Sequence, residues 1–437
     1  MDYFFIPGRI SSLSLCELFE VCRSKKLPLT FRATGRTVFL ATLPDDTDTR
    51  SLFDTLGGMI KYGTWRASLS SLDDALSFIS EVVKTNAAYS KKRITFGISS
   101  YTISQGTRKE NPRDLAFSLQ RWGIALKKEL VADGASVRFV VSQKGEAALS
   151  SVIVEKNHLC EEGNSEWVLI RDNDTWHVGT TSGVQEFEDF SNRDWNRPHR
   201  DMRVGLLPPK IARIMVNLSG ASTGESVLDP FCGLGTILQE AALLGHSHVF
   251  GSDLEQKQID ATKENLEWLA CQAPSKGKQG LTQFPPARLW REEGVPGPFP
   301  FTLKQCDARA ISHCFSKNLF AAIITEPTLG PALSGRHQSV SEKEIDALCN
   351  LYIESFYSFH EVLMRAGRVV IVFPVWMTGS QQRHIPCVDT LMKKGFTNIT
   401  IPDSLRHTLS DVTERDSLVI SRPDARVARE LFVFERM

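Results

Sequence analysis

The run from Ser226 to Ile237, Ser-Val-Leu-Asp-Pro-Phe-Cys-Gly-Leu-Gly-Thr-Ile, constrains the fold more than any other stretch of the chain. Val227 and Leu228 form a short buried strand. Gly233 and Gly235 let the backbone turn sharply and come close to a ligand with no Cβ in the way, and Thr236 opens an amphipathic helix that stops at Gly245. A second strand, His248 to Asp253, follows and ends in a carboxylate placed to accept both hydroxyls of a ribose. The unit is βαβ with an acid at its end. A third strand-like run, Phe301 to Cys306, leads to Asp307. A two-glycine turn also occurs where a strand merely bends into a helix and binds nothing, but Asp229, Gly233, Gly235, Asp253 and Asp307 together favour a nucleotide-cofactor cradle.

The details separate two cofactor chemistries. A dinucleotide site aims backbone amides at a pyrophosphate through G-x-G-x-x-G, and here Leu238 stands at the third glycine position. Asp229 at the end of the first strand would repel a pyrophosphate, yet it suits the cationic, amino-acid-bearing end of S-adenosylmethionine. A sulfonium cofactor is therefore expected. Cys232 lies inside the turn, where small apolar packing is a better reading than nucleophilic chemistry.

A chain of 437 residues has room for two or three domains, and 42% hydrophobic with 23% charged residues is ordinary for a soluble globular protein. No basic leader or sustained apolar run stands at the N-terminus, so no membrane span and a cytoplasmic location are expected. The nine cysteines are scattered from Cys16 to Cys387 without a C-x-x-C pair or a histidine at ligand spacing, which argues against a metal and against a disulfide framework. His337 and His384 fall in expected loops as surface or supporting residues. Net charge is zero, but residues 84–146 carry 12 Lys and Arg against 5 Asp and Glu, leaving that stretch at +7 and the remainder at −7. Such a footprint suits a polyanion; a solvated charged face is the plainer alternative.

Residues 1–65 read as a small α+β unit, with a helix over 13–22, strands near 29–31 and 38–41, and a helix over 50–56. A second α+β unit is expected over 66–172, with helices over 72–84 and 112–130 and strands over 93–99, 137–141 and 152–155. A polar linker spans 173–205. From 206 to 437 alternating strands and helices fit a doubly wound parallel sheet. Residues 272–300 read as a surface insertion. A capping box, Ser341 with Glu344, opens a helix expected to run until Gly367, followed by an apolar strand over 368–373. The segments 417–420 and 430–434 read as an antiparallel pair at the sheet edge.

Arg193, Asp194, Arg197, Pro198, the Leu207 to Lys210 segment, Asn217, Leu218, the Asp229 to Thr236 run, Arg422 to Asp424, Arg429 and Glu430 together resemble the THUMP-domain tRNA guanosine N2-methyltransferases. Leu56 to Lys61 resembles their N-terminal ferredoxin-like domain, so the likeness covers nearly the whole chain. The resemblance implies a ferredoxin-like N-terminal domain, a THUMP RNA-binding domain and a Rossmann-like class I methyltransferase domain of α/β type. It puts Asp229, Pro230, Cys232, Gly233, Gly235 and Thr236 against the methionine part of S-adenosylmethionine, Asp253 and Leu254 at the ribose, Asp307 and Ala308 at the adenine, and Pro208 at the pocket wall. tRNA is the implied partner, with Arg108, Lys109, Arg113, Arg121, Lys127, Lys128 and Lys144 as its contacts. Whether a small activator subunit is also needed is not legible.

The chain departs from the family at the end of the fourth strand. Relatives that methylate an exocyclic amine carry Asp or Asn, two prolines and an aromatic ring, whereas this chain has Glu326, Pro327, Thr328 and Leu329. The amine lone pair is delocalised into the base, so a side-chain oxygen and a backbone carbonyl must accept from its N–H groups. The ring holds the base flat, and such stacking is worth about 1–3 kcal/mol. Glu326 still accepts and Pro327 still stiffens the turn; the ring is gone, and Phe373 or Trp376 after the next strand is a candidate substitute. Three activities fit: N2-methylation of a guanosine in tRNA, a catalytically silent RNA-binding protein that keeps the fold, and adenine N6-methylation.

Overall fold

The computed structural model describes every residue except 106–110, 201–205, 247, 272–298, 332, 334–338, 379–380, 410 and 423–424. In chain order the first half runs β1 (Asp2–Pro7), α1 (Ser11–Ser24), β2 (Thr30–Thr34), β3 (Phe39–Thr42), α2 (Thr49–Thr55), β4 (Met59–Leu69), α3 (Leu72–Tyr89), β5 (Ile94–Gln105), α4 (Pro112–Ala132), β6 (Val137–Val140), α5 (Ser151–Lys156), β7 (Ser165–Asn173) and β8 (Thr175–Val184). The chain clusters into two compact units. The first comprises Met1–Ser11, Lys26–Phe53 and Gly58–Glu186; the second comprises Ser12–Lys25, Asp54–Gly57 and Phe187–Met437.

The first unit is built on one eight-stranded sheet in the order β2-β3-β1-β4-β8-β7-β5-β6. The boundary expected at residue 65 falls inside β4, which pairs with β1 on one side and β8 on the other, so the sheet runs on across it. The β7–β8 pair carries the core residues Trp167, Leu169, Trp176 and Val178, against which α3 and α4 bury Ile79, Val83, Leu119 and Leu126. Deep in the sheet, the Lys61 ammonium donates to Glu166 Oε1 and to the Leu149 carbonyl, both at 2.6 Å, while Ser99 and Thr181 also donate to that carboxylate. The buried charges are thus paired and hydrogen-bonded. Residues 152–155, expected as a strand, are helical instead. Ser150 caps α5 by accepting from the Ile153 amide, and Val154 is the buried residue, so the β-branched run is overridden by its cap.

The second half continues with α6 (Phe187–Trp195), α7 (Pro209–Leu218), β9 (Ser226–Asp229), α8 (Thr236–Leu243), β10 (His248–Asp253), α9 (Gln256–Cys271), β11 (Phe301–Gln305), a 3-10 turn (Ala308–Ala310), α10 (Ile311–Cys314), β12 (Phe320–Thr325), α11 (Glu342–Val362), β13 (Leu363–Thr378), β14 (Gln381–His384), α12 (Val388–Met392), β15 (Phe396–Asn398), β16 (Leu418–Ile420) and β17 (Val427–Arg436). The main sheet order is β11-β10-β9-β12-β13-β17-β15, with β14 on β13 and β16 on β17. Strands β9 to β13 are parallel and β17 inserts antiparallel beside β13, as the expected α/β domain requires. Its core gathers Ile323, Val369, Ile371, Phe373, Phe432 and Phe434 from the strands with Tyr352, Phe356 and Phe359 from α11.

Several sequence expectations are corrected here. Residues 173–205 do not form a simple linker, because they carry β8 and α6. The capping box at Ser341 and Glu344 is present, but α11 ends at Val362 and Gly367 lies within β13, where Leu363 already pairs with Phe320. His384 lies in a strand, against Glu430 at 2.9 Å. Cys306 and Cys314 form a disulfide, closed by the turn that carries Asp307. His337 and residues 272–298 of the expected insertion lie outside the described residues. Among the described residues no helix is long and apolar enough to cross a membrane, and no cluster of His, Cys, Asp or Glu could hold a metal.

Candidate active site

The turn expected to cradle the cofactor lies where β9, β10 and β12 end side by side. The glycines of the turn differ in what surrounds them. Gly235 has φ +78°, and a Cβ there would lie 2.8 Å from Thr262 Cγ2, so this glycine is required by the protein's own packing. Gly233 has φ +50°, yet a Cβ there would approach nothing nearer than the Phe231 carbonyl at 4.0 Å. The space over Gly233 is open, as a ligand cradle requires. Asp253 spans the turn, its carboxylate accepting from the Gly233 amide and the Glu255 amide, both at 3.0 Å. Burial raises its pKa above the ordinary carboxylate value. Each oxygen keeps lone-pair capacity for a ribose hydroxyl.

Asp229 is buried at the end of β9. Its Oδ1 accepts from Thr325 Oγ1 at 2.7 Å and from the Phe231 amide at 3.1 Å. Burial nevertheless pushes its pKa up to about 7, with Asp253 and Glu326 adding to the rise. A cation brought against it would restore the charge. Cys232 is buried beside Asp229 and its thiol is held well above the ordinary value by burial, which leaves it inert. Pro230 is buried in the turn, and Pro208 caps α7.

At the other end of the turn, Leu254 is 64% exposed, directly after Asp253. β11 brings its successor residues alongside: the Cys306 amide donates to the Asp253 carbonyl at 2.9 Å, and Gln305 Nε2 donates to the Leu254 carbonyl at 3.0 Å. Asp307 and Ala308 therefore face the same end as Leu254. Asp307 caps the 3-10 turn and grips Arg309, whose Nη2 lies 2.6 Å from Oδ2, and this pairing holds its carboxyl below the ordinary range. Arg309 already engages the carboxylate expected at the adenine.

The Thr325–Asp229 hydrogen bond links the end of β12 to the cradle and brings the next residue, Glu326, beside it. Arg429 of β17 donates from Nε to Glu326 Oε2 at 2.5 Å and from Nη2 to Oε1 at 2.9 Å. Burial works against the guanidinium's charge, but the carboxylate more than restores it, and its pKa lies above the ordinary value. Pro327 is buried, Thr328 is exposed with its carbonyl accepting from Tyr352 Oη at 2.6 Å, and Leu329 is half-buried. Phe373 is not a substitute base platform, since it is fully buried between Tyr352 and Phe432. Trp376 lies against the loop at Gly330 but is itself 3% exposed.

Sequence reasoning missed Thr325, Arg309 and the role of Arg429. Thr325 and Arg309 sit one and two residues from named sites, so a capping or end-of-strand reading would have found them. Arg429 is 103 residues from its partner, and only strand register brings them together. Of the expected RNA contacts, Arg113, Arg121, Lys127 and Lys128 all project from α4 and Lys144 follows β6. Among the described residues none of them meets a carboxylate, and Arg113, Arg121, Lys128 and Lys144 are exposed. Arg108 and Lys109 lie outside the described residues.

This strand order and glycine cradle define a class I methyltransferase domain. Residues 197–283 match the UPF0020 family model, described as an RMKL-like methyltransferase domain. The chain is 30% identical over 243 residues to a tRNA (guanine(10)-N2)-dimethyltransferase of Methanothermobacter thermautotrophicus, covering 54% of this chain and 60% of that protein. A protein of the same description from Pyrococcus abyssi is 32% identical over 193 residues, covering 44% and 46%. The crystal structure of TrmN from Thermus thermophilus superposes with a TM-score of 0.52 at 15% identity, covering 100% of both chains, and shares the fold. Part of the chain is thus similar to tRNA (guanine(10)-N2)-dimethyltransferases, and S-adenosylmethionine is the cofactor its cradle suits. It spans about three-fifths or less of the length of these two curated relatives, so their activities are stated of those proteins alone.

Proposed function

We propose that this chain transfers a methyl group from S-adenosylmethionine to the exocyclic N2 of a guanosine in tRNA. The observation that carries the reading is the Thr325 to Asp229 hydrogen bond, 2.7 Å, which sets Glu326 and Pro327 at the edge of the cofactor cradle. The relatives described as tRNA (guanine(10)-N2)-dimethyltransferases support that substrate class. When bound, the cofactor supplies an electrophilic methyl group; the chain's part is to hold and orient. Asp229 would face the cationic amino-acid end, Gly233 leaves room for it, and Asp253 would accept from the ribose. Glu326, held by Arg429, and the Pro327 carbonyl would accept from the N–H groups of the amine, leaving its lone pair directed at the donor. Methyl transfer of this kind depends on alignment rather than on a strong base.

The basic stretch on α4 and after β6 supports assigning RNA binding to the first unit, in the role of the THUMP-type and ferredoxin-like parts of the family, and a cytoplasmic site of action goes with a tRNA substrate. A second reading, a silent RNA-binding protein, draws on a specific observation. Glu326 is engaged by Arg429, Thr328 by Tyr352, and no ring stands in the place of Leu329. Incubation with labelled S-adenosylmethionine and unmodified tRNA, followed by nucleoside identification, separates the readings, with Asp229→Ala as control. Labelled N2-methylguanosine lost in the variant supports transfer. Labelled N6-methyladenosine would move the target to adenine, and binding of both ligands without label would favour the silent protein.

A further inference from the structure

We propose that Tyr352 is a positioning residue for methyl transfer: its hydroxyl ties down the Thr328 carbonyl and so keeps the Pro327 carbonyl aimed at the acceptor amine. The proposal rests on the reading above, in which the Pro327 carbonyl accepts from one N–H of that amine. The direction of this carbonyl is set by the ψ torsion of Pro327. The proline ring fixes φ at its own residue and leaves ψ open. A proline at the next position would restrict that ψ, but residue 328 is an exposed threonine. The sequence therefore leaves soft the one torsion that alignment needs stiff.

The structure holds the segment from both sides. Before Pro327, Thr325 Oγ1 donates to Asp229 at 2.7 Å, and Arg429 grips Glu326 through bonds of 2.5 and 2.9 Å. Pro327 itself is buried. After it, Tyr352 Oη donates to the Thr328 carbonyl at 2.6 Å. With both ends tied, ψ of Pro327 changes only if φ of Thr328 turns the opposite way, and a β-branched residue resists turning into positive φ. The anchor is rigid in its turn. Tyr352 is 1% exposed on α11, its ring centroid 5.0 Å from that of Phe373, in the core shared with Phe356 and Phe359. Burial holds its phenol well above the ordinary value, so the hydroxyl stays a donor. Packing needs only the ring; the hydroxyl reaches out of the core to the loop that carries the acceptor.

Tyr352→Phe keeps the ring and removes only the bond. With S-adenosylmethionine and unmodified tRNA, it should lower kcat by about tenfold or more, while KM for tRNA and calorimetric affinity for S-adenosylmethionine stay within about twofold. Thr328→Pro restricts ψ of Pro327 by sterics in place of the hydrogen bond, so the double variant should recover most of the lost kcat. Hydrogen exchange over residues 325–331, measured without tRNA, should be faster in Tyr352→Phe than in wild type. Unchanged kcat in Tyr352→Phe overturns the proposal, as does a fall in cofactor affinity in step with kcat, or a Thr328→Pro that is active alone yet restores nothing in the double variant. If Thr328→Pro is inactive alone, exchange decides: a faster loop alongside the loss of kcat supports the proposal, and an unchanged loop overturns it. Wild type inactive on every tRNA removes the functional reading and this proposal with it, whereas an active wild type matched by Tyr352→Phe removes this proposal alone.

Discussion

At the scale of single residues, Asp229 is a buried carboxylate and Glu326 a half-buried one, with opposite support. Asp229 has no basic partner among the described residues, and its folded pKa of about 7 lies above the roughly 3.9 of an unfolded aspartate. The folded chain therefore holds a proton that the unfolded chain releases; the stability this group contributes is complete below about pH 4 and is lost as pH rises through about 7. In denaturant titrations, Asp229→Asn should flatten the fall in stability between about pH 4 and about pH 8. Binding of the cationic cofactor should run the other way, tightening by about tenfold from pH 6 to pH 8 in wild type and changing little in the variant. Unchanged wild-type affinity across that range would mean Asp229 does not face the cation. Glu326 is anchored by Arg429, and breaking that half-buried pair by Arg429→Met should destabilise by about 1–3 kcal/mol, most of it recovered in the double variant Glu326→Gln with Arg429→Met. Denaturant midpoints of the four proteins decide this, and additive losses would count against the pair. The sequence identified both acids because each ends a strand; it hid the arginine, because a contact across 103 residues leaves no local signature.

At the scale of elements, legibility followed how local the determining physics is. β9, the glycine turn, α8 and β10 were read directly because strand, turn and helix start lie within one short run. α5 was misread because Val152, Ile153 and Val154 favour a strand by side-chain shape, and the Ser150 cap outweighs that preference. β8 lies in the polar stretch that reads as a linker, yet the Asn173 turn, φ +54°, joins it to β7 as a hairpin. The glycine turn carries its own prediction, because its two glycines serve different purposes. Gly235→Ala must accept a left-handed φ and push Thr262 aside, so it should lose well over the roughly 1–2 kcal/mol that a left-handed alanine alone costs. Gly233→Ala meets no protein atom closer than 4.0 Å and should pay only that backbone cost, yet its methyl enters the open cradle and should weaken S-adenosylmethionine by about tenfold or more. Thermal melts and cofactor titrations on the two variants separate stability from binding. Retained affinity in a folded Gly233→Ala would place the cofactor elsewhere.

At the scale of the whole molecule, the boundary expected near residue 65 was not visible because it does not exist in the sheet: β4 belongs to both halves through its pairings with β1 and β8. What composition did reveal was the asymmetry of charge hidden by a net of zero, with +7 over residues 84–146. α4 presents Arg113, Arg121 and Lys128 to solvent, and none is spent on an ion pair among the described residues. If these cations contact phosphates, each releases counterions, and the logarithm of affinity should fall linearly with the logarithm of salt. Replacing Arg121 and Lys128 together by Gln should weaken tRNA binding and make that slope shallower by about 0.7–0.9 for each phosphate contact removed. Stability should stay within about 0.5 kcal/mol, since both side chains are exposed and unpaired. S-adenosylmethionine affinity should not change, because the cradle lies in the other unit. An unaltered salt slope would assign the +7 stretch to a solvated face and shift the search for the RNA surface elsewhere on the chain, whereas a shallower slope with intact cofactor binding would establish that substrate capture and cofactor chemistry are divided between the two units.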